Sequence, residues 1–159
     1  MNPVYCKYSG DRAARFRIKT VICAEEDGTR TVRKFPLTEE AEGHVENLYR
    51  HFLEMEESFA GTLFAPNRCR KLEKGVEFEF VGGETLEHHL DVLYQKGRYL
   101  DIVEEIKKYR DLLYGLPDNI PFQYTEAFDE VFGKNTRFMD CMSFKISNID
   151  LIFGNLLPG

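Results

Sequence analysis

The chain has 159 residues, a net charge of −6, and 43% hydrophobic against 30% charged residues, so it describes a globular domain with enough apolar material for a real core. That acidic balance argues against a nucleic-acid partner, because affinity for a phosphate backbone rests on clustered Lys and Arg. No apolar run approaches the roughly 20 residues of a membrane span, and neither a signal peptide nor a lipidation motif opens the chain, so a cytoplasmic location is expected.

Four cysteines, Cys6, Cys23, Cys69 and Cys141, lie too far apart for a metal knuckle and are expected to be reduced thiols. The four histidines, His44, His51, His88 and His89, fall in helical stretches with no partner at metal-ligand spacing.

In chain order, residues 4–9 and 15–24 read as two strands separated by the turn formers Ser9-Gly10-Asp11. Phe16, Ile18 and Thr20 alternate with Arg15, Arg17 and Lys19, the period of two that marks a half-buried strand. Glu25-Glu26-Asp27-Gly28 predicts a hairpin turn, with residues 30–35 as the third strand and Pro36 ending it. Thr38 is the expected N-cap of a helix over 39–57, whose core stripe is Val45, Leu48, Tyr49, Phe52 and Leu53. Strands over 63–72 and 76–81 follow, joined at Lys74-Gly75. Gly82-Gly83 then breaks the chain before helices over 86–95 and 99–114. A loop over 115–124, a short helix over 125–132 and an apolar tail complete it. The expected class is α+β with a mainly antiparallel five-stranded sheet, divided into residues 1–81 and a mostly helical 82–159.

Four segments carry candidate chemistry. The first is the tail, Asn148-Ile149-Asp150-Leu151-Ile152-Phe153-Gly154-Asn155-Leu156-Leu157, in which an Asp precedes an Asn by five positions. A carboxylate near a nucleophilic hydroxyl and a neutral oxygen ligand one loop further on are what phosphoryl transfer uses. The second is Phe78-Glu79-Phe80-Val81-Gly82-Gly83-Glu84-Thr85-Leu86, a strand running through glycines into a helix. The third is Thr31-Val32-Arg33-Lys34-Phe35, and the fourth is the loop Ser9-Gly10-Asp11-Arg12-Ala13-Ala14-Arg15-Phe16, with a single glycine.

Taken in order, these segments resemble the protein-kinase-like fold, and the tail is closest to its aminoglycoside and choline phosphotransferase branch. The resemblance implies Asp150 as catalytic base, Asn155 as a magnesium ligand, and Lys34 as the cation that neutralises nucleotide phosphates. It implies that Lys34 pairs with a Glu of the following helix, Glu46 in preference to Glu42. It also implies that the backbone of Glu79, Phe80 and Val81 binds an adenine ring, with ATP and magnesium as cofactors. Asn148 stands where the family usually has His, and the loop at Gly10 is glycine-poor. Arg12 or Arg15 then touches a phosphate, or both are hairpin-surface charges. Lys34 has a plainer alternative, a solvated lysine on an edge strand.

Residues 125–133 and 147–153 look like kinase-like segments attached to bacterial proteins of cell-surface polysaccharide (lipopolysaccharide) synthesis. The implied end at Pro158-Gly159, before the second metal-binding Asp of the family, predicts a fragment without appreciable phosphate transfer. It also predicts exposed apolar surface at 151–157 that pairs with another copy or with the rest of a larger parent. The competing readings are a non-catalytic scaffold or regulatory module, and an unrelated α+β binding protein.

Overall fold

The computed structural model describes residues 2–117, 119–134, 136–138, 140–146 and 151–158. The chain divides into two compact units, Met1–Gly82 and Gly83–Gly159.

In the first unit, β1 (Asn2–Tyr8), β2 (Ile18–Ala24), β3 (Arg30–Pro36), β4 (Cys69–Leu72) and β5 (Gly75–Glu79) form one antiparallel sheet in the order β1-β2-β3-β5-β4. The crossover between β3 and β4 carries helix α1 (Glu42–Ser58). Its Val45 and Phe52 pack with Ile18, Cys69 and Val76, and half-buried Leu48, Tyr49 and Phe78 close around them. Burying a Phe and several aliphatic side chains at roughly 1.5–3 kcal/mol each is the main local driving force.

The β2–β3 turn follows from Asp27-Gly28. Gly28 adopts φ of 86°, and the Asp27 carboxylate accepts the Thr29 N–H at 2.9 Å, a bond that holds the Asp27 carboxyl below its ordinary range.

Several bounds differ from the sequence reading, each for a local reason. Residues 14–16 form a short 3-10 turn, so β2 begins only at Ile18. Thr38 does not cap α1: its hydroxyl donates to the Ala14 carbonyl at 2.8 Å, and a 3-10 turn over Glu39–Ala41 precedes the helix. The predicted strand over 63–72 pairs only from Cys69. Before it, Gly61 has φ of 77° and the Thr62 hydroxyl donates to the Phe59 carbonyl at 2.8 Å, which makes a local turn.

The face of the sheet away from α1 holds a buried carboxylate. Glu77 is 5% exposed, and Arg33 Nε donates to it at 2.7 Å while Arg70 Nε donates at 2.6 Å. Burial pushes the Glu77 carboxyl up, but the bonds from Arg33 and then Arg70 outweigh it and hold it below the usual range. Arg33 and Arg70 flank Glu77 because β3 and β4 are its neighbours in register.

In the second unit, α2 (Leu86–Gln95) is capped by Thr85, whose hydroxyl accepts the His88 N–H at 3.2 Å. Then come α3 (Tyr99–Tyr114), β6 (Asn119–Pro121), α4 (Glu126–Phe132) and β7 (Met142–Phe144), the last pairing antiparallel with β6. Phe122, Tyr124, Phe128 and Phe138 form a mainly edge-to-face aromatic cluster around α4.

Arg33→Met leaves a buried carboxylate with one exposed arginine and is expected to cost about 1–3 kcal/mol in urea unfolding. Adding Glu77→Leu should recover part of that loss, because the unpaired charge goes with it. Strictly additive losses in the double variant would show that the three groups are not coupled.

Candidate functional site

In the first unit the candidate residues sit on and beside the middle strand. Lys34 faces Thr20 on β2 and Val76 on β5, so it shares a face with Val76 and the α1 core. It is half-buried, with Nζ 5.2 Å from the centre of the Phe78 ring, a cation–π geometry. The edge-strand alternative therefore does not describe it, since β3 has neighbours on both sides.

The same cation lies close to two titratable groups. Cys69 is pushed up to about 11, by burial first and against the opposing pull of Lys34, so its thiol stays protonated and unreactive at neutral pH. His44, half-buried in the first turns of α1, is held below its ordinary value by burial first, then by Arg12, then by Lys34.

The loop carrying Arg12 is held at both ends. Ser9 is buried, its N–H and hydroxyl both donate to the Ile18 carbonyl, and its hydroxyl oxygen accepts the Ile18 N–H at 2.9 Å. Within the loop, Arg17 Nε donates to the Arg12 carbonyl at 2.8 Å. Beyond it, the Leu37 N–H donates to the Arg17 carbonyl at 3.0 Å, and Thr38 holds Ala14 as described. Phe16 then meets His44 edge-on at 5.2 Å between ring centres. The loop is thereby fixed against the start of α1.

Glu46 is ion-paired with Lys71 at 2.5 Å, an exposed contact across to β4 that holds its carboxyl below the usual range. Of the expected adenine-binding backbone, Glu79 N–H donates to the Arg68 carbonyl at 3.1 Å and Phe80 N–H to the Arg30 carbonyl at 3.2 Å. The Glu79 carbonyl accepts Asn67 Nδ2 at 3.0 Å. Val81, beyond the end of β5, is exposed. Glu79 and Phe80 also line an open depression of about 540 Å³ with Gly28, Thr29, Arg30 and Thr31, where the Arg30 guanidinium lies 5.6 Å from the Phe80 ring centre. The Thr31 hydroxyl is buried there without a hydrogen-bond partner.

In the second unit, Asp150 and its neighbours Ser147, Asn148 and Ile149 lie outside the described residues. Asn155 closes a 3-10 turn over Phe153–Asn155, its N–H donating to the Ile152 carbonyl at 2.9 Å. That segment is moored twice. The Tyr109 hydroxyl donates to the Leu151 carbonyl at 3.2 Å, and the Leu86 N–H at the start of α2 donates to the Leu156 carbonyl at 2.8 Å. Burial pushes the Tyr109 phenol up, so it remains a donor through the neutral range. The Phe153 ring meets Tyr109 edge-on at 5.6 Å. Gly154 lies against the Glu87 carboxylate, where a Cβ would come within 2.9 Å of Oε2.

Sequence reasoning missed Arg12 with His44, the moorings at Tyr109 and Leu86, and the Glu77 clamp. Each depends on long-range pairing and leaves no local spacing to read. Among the described residues no helix is long and apolar enough to cross a membrane. A scan of protein-family models gives no match to the chain, and neither do the curated proteins or the solved structures.

His44 gives a pH prediction with a definite sign. Its folded-state value lies below the ordinary 6.5, so the unfolded chain binds more protons and stability rises with pH through that window. Stability from this group is complete above 6.5 and is lost as pH falls towards the lower folded value. His44→Gln should flatten the acid side of the stability profile, read by urea midpoints. An unchanged profile would show that the imidazole is not held neutral.

Proposed function

We propose that this chain is a kinase-like nucleotide-binding module, in which Lys34 takes the phosphates of ATP and the tail segment supplies Asp150 as base and Asn155 as a magnesium ligand. The observation that carries the reading is the position of Lys34. A lysine on the core-facing side of a central strand, half-buried against Phe78 and beside helix α1, gives up hydration that an anion replaces. A second cation acts nearby: Arg12 from its pinned loop and Lys34 from the sheet both bear on His44.

The mooring of Leu151 and Leu156 supports the tail assignment, because a metal-ligating amide works only on a fixed backbone. Asn155 offers one neutral oxygen, and among the described residues no three His, Cys, Asp or Glu are grouped to hold a metal. A magnesium ion would therefore arrive with the nucleotide, bridging phosphate oxygens and lowering their charge. For the adenine, Val81 is the remaining candidate of the expected backbone stretch, since Glu79 and Phe80 commit their N–H groups within the unit. The association with cell-surface polysaccharide synthesis rests on the resemblance of residues 125–133 and 147–153.

A non-catalytic regulatory module is the second reading, and one observation favours it. Glu46 is committed to Lys71, on the far strand of the sheet, and so does not stand as a dedicated partner for Lys34. Such a module binds nucleotide without turning it over.

Thermal unfolding of the full chain tests binding directly. Magnesium-ATP at about 100 times its Kd should stabilise it by about 2.7 kcal/mol, with the gain reduced in Lys34→Met and in Asn155→Ala. The proposal fails if saturating magnesium-ATP leaves the wild-type melting temperature unmoved. Equal gains in wild type and both variants would remove these residues from the site.

A further inference from the structure

The grouping of Arg12, Lys34 and His44 brings three nitrogen cations or potential cations together from three separate elements: a loop, the central strand and the first turns of α1. Like charges gathered this way are unfavourable in the free protein, and they stay gathered because other contacts fix each one. Arg12 is on a loop closed by Ser9–Ile18 and tied by Arg17 Nε to its own carbonyl. Lys34 is held in register between Thr20 and Val76 with its ammonium over Phe78. His44 is set edge-on against Phe16, on the loop that Thr38 also grips through Ala14.

We propose that Arg12, Lys34 and His44 form a cradle for a phosphoanion, in which the His44 imidazole takes a proton from solvent as the anion enters. The inference rests on the nucleotide reading for the identity of the anion, and adds to it a third ligand and a pH dependence. Among the described residues, the charges acting on His44 are those of Arg12 from the loop and Lys34 from β3, both positive. In the empty protein both disfavour imidazolium, as does burial. A phosphate group carrying one or two negative charges reverses the sign of the local field and makes imidazolium the favoured form. The proton is bound at a ring nitrogen and released when the anion leaves, so no other reactant is needed. His44 then makes the site bind phosphate more tightly as the solution becomes acidic.

The experiment is an NMR titration of the full chain with tripolyphosphate between about pH 5.5 and about pH 8, following the imidazole resonances, in wild type, His44→Gln and His89→Gln. His89 is exposed on α2 and serves as the control. In wild type and His89→Gln, the His44 titration should move upward on binding. Affinity should rise roughly three- to tenfold from about pH 8 to about pH 6, the factor expected when anion binding moves the titration midpoint of one imidazole by up to about one pH unit. The anion's own titration is common to all three proteins, so His44→Gln isolates the imidazole and should show a smaller rise. An identical pH dependence in His44→Gln, or an immobile His44 resonance at saturation, overturns the inference. ATP binding with His44 unmoved leaves the nucleotide reading standing without the cradle. An upward move of the His44 titration with tripolyphosphate, together with ATP binding no tighter than tripolyphosphate, leaves the cradle standing without the nucleotide.

Discussion

Helix α1 lies on the sheet through Val45 and Phe52, which pack with Ile18, Cys69 and Val76, and this contact decides which groups of the first unit are left for chemistry. It buries the face of β2, β3 and β5 from which Lys34 also projects, so the lysine stands at the margin of a core rather than in open water. Truncating a core Phe of this kind costs about 3–5 kcal/mol, so the position of Lys34 is maintained by more free energy than its own contacts supply. The opposite face solves a different problem, the burial of Glu77, by flanking it with Arg33 and Arg70. Alternation along β3 thus separates a structural cation, Arg33, from its neighbour Lys34.

Charge is unevenly spread around this frame. The chain is acidic as a whole, yet Arg12 and Lys34 converge on His44 in one place. Like charges at short range repel, so their proximity is a cost that folding meets elsewhere, through the Ser9–Ile18 closure and the Thr38–Ala14 bond. Sites that carry such a cost are where ligands of opposite charge bind. The tail of the second unit is fixed by equally few contacts: two hydrogen bonds to carbonyls and one aromatic contact hold a short segment that has little regular structure.

Much of the fold is legible in the residues. Helices α2 and α3 have the bounds that periodicity and the Thr85 cap give, because their amphipathic stripes end at clear breakers such as Gly97 and Gly115. The Asp27-Gly28 turn and the five-stranded antiparallel sheet are equally readable. Errors cluster where a side chain has two possible uses. Thr38 has the chemistry of an N-cap but bonds the Ala14 carbonyl, since the loop before β2 folds back onto it. Arg15 and Phe16 continue the alternation of a strand but turn into a 3-10 segment. For the site, Lys34 is visible in the sequence as a type at a spacing, whereas the Glu46–Lys71 pair requires knowing that β4 returns to the far side of β5. Arg12 beside His44 is hidden for the same reason: the contact spans a loop, two strands and a turn.

Amide hydrogen exchange on the full chain, with and without magnesium-ATP, tests most directly whether the α1-facing side of the central strand receives the nucleotide. Added nucleotide should slow exchange in residues 10–17, in the first turn of α1 and at Val81, leaving β1 unchanged. Protection confined to β1, or to the surface of α3, with those segments unaffected would contradict a nucleotide site at Lys34.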